Sequence, residues 1–506
     1  MNPLAVFSSD QMRAAEAAAI NGGLASAALM ETAGKHVAEI AMRAWSKRPV
    51  AVICGPGANG GDGFVAARII AEAGWPVKVL LAGDRDKLKG DAKMMAGLYE
   101  GDIAPFAPQL LNGAGLIIDA LFGTGLSRAV EGNAKTAVDA VNAHPAPVLA
   151  VDIPSGVSAD DGAVLGAAIN AARTVAFHAK KPAHLLFPGR ALCGALDVVD
   201  IGITEGDPAN TFENHPAIWG GAFPRPSWRD HKYGRGHVMC LSGGALNTGA
   251  ARLAAQGALR IGAGLVTMLS PGEAAPAHAA HLTAIMLREA NTAVDIAAHL
   301  QASEKSRLIA VAGPAAGVGA ETRDKTLTIL KSGAGAVLDA DALTSFADDT
   351  GALFSALRPD DVLTPHTGEF ARLFAGVAQP DSGKLETARA ASARAGCIIV
   401  LKGPDTVIAA PDGRAIINAN APPDLATAGA GDVLAGFIAG LKAQGMSGFD
   451  AAAAGVWFHG ACGQTAGPGL TAEDLPKAVP PVLRQLLNPQ PQNQPDSQPA
   501  GEGRRS

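Results

Sequence analysis

Five apolar residues, Val50-Ala51-Val52-Ile53-Cys54, run directly into Gly55-Pro56-Gly57-Ala58-Asn59-Gly60-Gly61-Asp62-Gly63, and an apolar helical pattern follows over residues 64–73. A short unbroken apolar run suits a strand covered on both faces, the condition of a parallel sheet. Strand, glycine loop and helix in direct succession form the βα turn that cradles phosphate, although neither the usual dinucleotide fingerprint nor a Walker loop is present. A tight turn with Asp62 as the helix N-cap explains the loop about as well. The pattern recurs. Apolar runs at 77–81, 116–119, 148–152, 173–178 and 196–201, with helices over 11–20 and 25–45 ahead of them, predict a doubly wound α/β unit.

Periodicity fails over residues 205–235, where Pro, Gly and polar residues predict a linker at about 207–226. A second α/β series follows, with strands at 237–241, 265–269, 308–312, 336–339, 362–364 and 397–402 and a hairpin over 407–410 and 414–418. Helices are expected at 248–261, from about 432, and at 451–466 and 475–487. The expected division is one unit at 1–215, a second at 225–488 and a disordered Pro/Gln/Asn tail at 489–506. A length of 506 residues accommodates two such units.

The net charge of −6 argues against nucleic acid as the main partner. Cys54, Cys193, Cys240, Cys397 and Cys462 are dispersed, lack metal-ligand spacing and read as core thiols in a reducing compartment. The N-terminus lacks a basic segment followed by a long apolar one, and no apolar run is long enough to span a bilayer. The expectation is a soluble cytoplasmic protein, homo-oligomeric, with neither nucleic-acid nor membrane partners.

Chemistry concentrates at strand ends. In the first half, Asp119 and Asp152 end predicted strands, Asn59 and Ser155 lie in the loops that follow them, and strand carboxyl ends line the crevice of an open α/β sheet. Oxygen donors without His or Cys suit a hard cation such as K⁺ or Mg²⁺, although each residue alone is more ordinarily a turn residue or cap. In the second half, Thr427-Ala428-Gly429-Ala430-Gly431-Asp432 leads into an apolar helix. The glycines and the helix N-terminus offer N–H groups to phosphate, and Asp432 suits a base that takes a hydroxyl proton; the plainer reading is a helix cap. Asp339 and Asp341 offer carboxylates to a cation or sugar hydroxyl, His366 sits in a polar loop, and Lys402 stands ready for phosphate oxygens or simply as a solvated strand-end lysine.

"GPGANGGDGFVAAR", "IDALFGTGL" and "VDIPSG" resemble the epimerase domain of the NAD(P)HX repair enzymes. "LNTGAARLAAQGALRIGAGLV", "DADAL", "TPHTGEFARL", "KGPDT" and "ATAGAGDVLAG" resemble their ribokinase-like dehydratase domain. The resemblance runs from residue 10 to about 487 and implies a Rossmann-like unit followed by a ribokinase-like one. It implies that the first interconverts the R and S epimers of hydrated NADH and NADPH. Ala58, Asn59, Gly60, Gly61 and Asp62, with Gly123, Thr124, Gly125, Leu126, Ser127, Arg128 and Ala129, would hold the dinucleotide. Asn59, Asp119 and Ser155 would ligate K⁺, and Asp152 would be the acid/base; Ala58 departs from the family pattern, which often has a second Asn there. The second unit would dehydrate the S epimer with ADP and Mg²⁺. Asp432 would be its base, with the N–H groups of Ala430, Gly431 and Asp432 as anion hole. Lys402, Gly403, Pro404, Asp405, Thr406 and Gly431 would hold ADP, and Ala250, Gly319, His366 and Asp432 would contact the hydrate. A ribokinase-like vitamin-precursor kinase carrying a non-catalytic dinucleotide sensor is the alternative.

Overall fold

The computed structural model describes residues 2–204, 209–303, 307–377 and 383–488. Seven strands form the first sheet: β1 (Val50–Cys54), β2 (Val77–Leu81), β3 (Ile103–Pro105), β4 (Leu116–Ala120), β5 (Val148–Val151), β6 (Arg173–Phe177) and β7 (Ala195–Val199). Their order is β3-β2-β1-β4-β5-β6-β7 and every pairing is parallel. Strand order reverses between β1 and β4, so the crevice of this doubly wound sheet opens beyond their carboxyl ends. β1, β4 and β5 are buried throughout, which explains their apolar runs, interrupted only by Asp119 near the end of β4.

The helix after β1 begins at Ala58, six residues before its apolar pattern does. Gly57 occupies the N-cap position, so Asp62 lies inside the helix and is not the cap considered from sequence. Close packing accounts for the glycines. A Cβ on Gly60 would lie 1.9 Å from Gly55 O, and one on Gly63 would lie 2.6 Å from Ala120 Cβ.

Ten strands form the second sheet: β8 (Thr211–Glu213), β9 (His237–Leu241), β10 (Leu265–Ser270), β11 (Met286–Glu289), β12 (Leu308–Ala312), β13 (Gly335–Leu338), β14 (Val362–Leu363), β15 (Ile398–Leu401), β16 (Val407–Ala409) and β17 (Ala415–Ile417). The order is β11-β10-β9-β12-β13-β14-β15-β16-β17-β8, with the β15–β16–β17 meander antiparallel as the hairpin reading predicts. The Gly/Ala-rich helices Thr248–Ile261 and Ala430–Ala443 pack closely: a Cβ on Gly436 would fall 2.1 Å from Ala254 O. That approach needs small residues on both sides.

The 207–226 linker is corrected over its described residues. β8 pairs with β17, and the helix Pro216–Trp219 buries Trp219 in the core of the second unit, its indole N–H donating to Asn214 Oδ1 at 3.1 Å. Residues 207–208 of that stretch and the 489–506 tail lie outside the described residues. The two sheets are knit together by the N-terminal segment, where Ala5 bridges Phe212 and Val6 bridges Lys180. Val6, Leu185 and Leu186 are buried in a cluster with Leu401, Val407 and Ile417 of the second sheet.

Candidate active sites

At the switch point of the first sheet, three strand-end loops converge. A Cβ on Gly123, after β4, would lie 2.9 Å from Asn59 Oδ1 and 3.4 Å from Asp152 Oδ2. Asp119 and Ser155 are buried and joined: Ser155 Oγ donates to Asp119 Oδ1 at 2.6 Å, and its N–H donates to Oδ2 at 2.8 Å. Burial pushes the Asp119 carboxyl up to about 6, against the pull of those hydrogen bonds. Asn59 Nδ2 is buried with no partner among the described residues. The donor types here are an amide, a carboxylate and a hydroxyl, hard oxygens that fit an alkali cation. Residues 124–129 form a largely exposed loop beside them.

Asp152 carries a φ of 64°, a left-handed conformation uncommon for a residue with a side chain. Its carboxylate accepts from buried Lys181 Nζ at 2.6 Å, and Lys181 also donates to Phe177 O at 3.0 Å. His184 Nδ1 accepts from the Lys181 N–H, which leaves the proton on Nε2 to donate to Asp152 O at 2.9 Å. Burial, then the Lys181 charge, lowers His184 to about 4, so it remains neutral in this role. Asp62 is raised well above the ordinary carboxylate range, by burial first and then by Asp152 and Glu16. A carboxylate compensated by a lysine, Asp152, thus stands close to one whose charged form burial opposes, Asp62. Divergent environments of this kind separate acid and base roles.

In the second unit, the helix Ala430–Ala443 has Gly429, in the left-handed region, at its N-cap position. Asp432 therefore lies in the first turn and makes no capping bond, which removes the cap reading. Burial lifts its carboxyl to about 7, helped by the charges of Asp339 and Asp341 and opposed by Lys402. Lys402 Nζ donates to Asp339 Oδ1 at 2.6 Å, so it is no solvated lysine. A Cβ on Gly431 would lie 3.4 Å from that nitrogen, which places the ammonium beside the helix N-terminus. The Ala430 N–H already points to Thr427 O at 3.4 Å. Gly431 and Asp432 then supply the first-turn donors, and Ala430 drops out of the expected anion hole. His459, lowered to about 4 by burial, holds Ala430 O at 2.9 Å through Nε2.

Beside this turn lies a cavity of about 750 Å³ lined by Lys402, Gly403, Pro404, Thr406, His366, Gly431 and His459, with an apolar wall of Pro422, Pro423, Leu425, Leu434 and Val456. That size accommodates a nucleotide-sized ligand. Asp405 does not line it. Its carboxylate is buried and accepts from Lys384 Nζ at 2.5 Å and from Phe187 N at 2.9 Å, so it works as a structural anchor of the loop. Ala250 and Gly319 are not among the lining residues either; Gly319 donates its N–H to Ser345 Oγ at 3.1 Å. His366 caps the helix Thr367–Leu373, Nδ1 accepting from Gly368 N at 2.9 Å, and still faces the cavity. Asp341 Oδ2 accepts from Gly317 N at 2.9 Å, and among the described residues no cluster of three or more His, Cys, Asp or Glu is arranged for a metal ion.

Sequence reasoning missed Lys181, His184 and His459. The signal for Lys181 was the Lys180-Lys181 pair just beyond an apolar strand, the same strand-end position that marked Asp119 and Asp152. His459 gave no local signal, since it lies inside the helix Gly448–Ala466.

Fold and sites together define a two-unit α/β protein with one crevice at a doubly wound switch point and one nucleotide-sized cavity beside a glycine-led helix N-terminus that carries Asp432. The model of YjeF-related protein N-terminus matches residues 26–183, and that of NAD(P)H-hydrate dehydratase matches residues 238–480. The bifunctional NAD(P)H-hydrate repair enzyme Nnr of Moorella thermoacetica is 36% identical over 496 residues, covering 90% of this chain and 92% of its own. That of Escherichia coli is 34% identical over 509 residues, covering 96% and 95%. A solved structure of the ADP/ATP-dependent NAD(P)H-hydrate dehydratase from Bacillus subtilis, co-crystallised with ATP and Mg²⁺, is 28% identical, with a TM-score of 0.47, over 54% of this chain and 98% of that one. The chain belongs to the bifunctional NAD(P)H-hydrate repair enzyme family.

Proposed function

We propose that the two sites repair hydrated NADH and NADPH in sequence: the first interconverts the R and S epimers, and the second dehydrates the S epimer with ADP. The observation that carries the reading is the pairing of a switch-point acid/base cluster with Asp432, a base lifted to about 7 beside a helix N-terminus. In the first unit, Ala58 to Asp62 and the 123–129 loop hold the dinucleotide and Asp152 acts at the nicotinamide. Asn59, Asp119 and Ser155 would hold K⁺, whose positive charge would steady the dinucleotide phosphates.

In the second unit, Asp432 takes the proton of the ring hydroxyl as the oxygen attacks the β-phosphorus of ADP, and AMP leaves. Phosphate then departs from the ring carbon, a proton is lost from its neighbour, and the double bond returns. Gly431 and Asp432 N–H groups and Lys402 face the transferred phosphoryl charge, the kind of stabilisation worth roughly 3–4 kcal/mol per donor. Mg²⁺ enters with the nucleotide. Lys402, Gly403, Pro404 and Thr406 line the nucleotide side and His366 the hydrate side. Among the described residues no helix is long and apolar enough to cross a membrane.

The test supplies purified protein with the S hydrate, ADP and Mg²⁺ and follows NADH absorbance and inorganic phosphate together. One phosphate released per NADH supports the reading. A stable phosphorylated product overturns it in favour of a kinase.

A further inference from the structure

The cavity beside Asp432 is not built by the second unit alone. Phe187 and Arg190, from the segment after β6 of the first unit, also line it. Phe187 is 41% exposed, high for a large apolar side chain, and its ring forms part of the cavity wall. The segment is fixed there by two bonds across the units. The Phe187 N–H donates to Asp405 Oδ2 at 2.9 Å, and Arg190 Nη2 donates to Ala419 O at 2.5 Å. The Arg190 guanidinium carbon lies 5.3 Å from the centre of the Phe187 ring, within cation–π range, and holds that ring from one side. Leu185 and Leu186, just before it, are buried among second-sheet residues, so the placement does not depend on the two polar bonds alone.

Lys402 and Gly431 mark the phosphate end of the cavity. A nucleotide whose phosphates sit there must lay its base along the apolar wall, and that wall has an exposed aromatic ring contributed from the other unit. Stacking on an aromatic face is what a planar purine takes and an aliphatic ligand does not. We infer that Phe187, held by Arg190, is a base-stacking residue of the nucleotide site, so that the adenine nucleotide is bound by both units at once. This rests on the nucleotide reading of the cavity given above. It adds that the first unit, whatever its own chemistry, is a structural part of the second unit's co-substrate site.

The experiment measures ADP binding to the full chain by calorimetry for the wild type, Phe187→Ala, Phe187→Trp and Arg190→Ala. Hydrogen exchange of the wild-type segment 187–192 is followed with and without ADP. Phe187→Ala should weaken ADP about tenfold. Phe187→Trp, which keeps a stacking face, should stay within a few-fold of wild type, and Arg190→Ala should fall between. ADP should slow exchange in 187–192. Melting midpoints without nucleotide identify any variant that fails to fold, and the wild-type exchange result then decides by itself. Wild-type ADP binding with unchanged affinity in Phe187→Ala and no protection of the segment overturns this inference and leaves the nucleotide site standing. No ADP or ATP binding by the wild type overturns both.

Discussion

Both sites contain a lysine–aspartate pair with a buried carboxylate, and the two pairs serve opposite ends. In the first unit Lys181 binds the candidate acid/base itself, Asp152, at 2.6 Å. In the second Lys402 binds Asp339, also at 2.6 Å, and Asp432 has no direct ion partner among the described residues. The compensated carboxylate is oriented and its charge is answered. The uncompensated one is lifted to about 7, where it can accept a proton and give it up again near neutrality. The same kind of residue pair therefore fixes an anion in one fold and, placed beside the reacting carboxylate instead of on it, tunes a base in the other.

The comparison breaks most directly by exchange to the amide. Asp432→Asn should lower dehydration by about 10²–10⁴-fold and spare epimerisation, while Asp152→Asn should do the reverse. Separate assays of the two steps on each variant check this. A shared loss in either variant would mean that the two sites do not work independently. Next in size, Lys181→Met leaves Asp152 buried and unpaired, which should destabilise the first unit by about 3–5 kcal/mol. Denaturant melts read that loss directly, and Lys402→Met should disturb the second unit through Asp339 in the same way.

A smaller effect separates the two carboxylates by pH. Because the Asp432 base must be ionised, kcat/KM for dehydration should rise about tenfold per unit below pH 7 and level off above it. Folding raises this carboxyl, so its contribution to stability is fully present below its unfolded pKa of about 4 and is lost as pH rises through about 7. Asp432→Asn should accordingly melt higher than wild type at pH 8, with the gap gone at acid pH. The smallest expected change is from Asp339→Asn, which removes a like charge and frees Lys402 toward Asp432; the acid limb of the dehydration profile should move down by roughly 1 unit.

The strand-and-loop grammar of both units was readable because parallel strands buried on two faces are apolar throughout, as β1, β5 and β12 are. Three of the four edge strands escaped for the converse reason. β3 and β11 are short and only half covered, and β8 lies in a stretch whose Pro and Gly content hides three residues that pair only through tertiary contact. Asp119, Asp152, Ser155 and Asp432 were legible as polar residues placed just after apolar runs. What sequence could not show is which neighbour each would meet. Asp405 reads as a nucleotide contact within KGPDT, yet its carboxylate is taken by Lys384 and by the Phe187 N–H, more than two hundred positions away. Phe187 and Arg190 reach the cavity only because two sheets dock, an outcome that no local pattern records.

The most direct test of the two-site account gives full-length protein an equal mixture of the R and S hydrates with ADP, Mg²⁺ and K⁺ and follows NADH absorbance to its end point. The wild type should return nearly all of the hydrate, and Asp152→Asn should stop at the S half. Complete recovery by Asp152→Asn at the wild-type rate would contradict the role given to the first site.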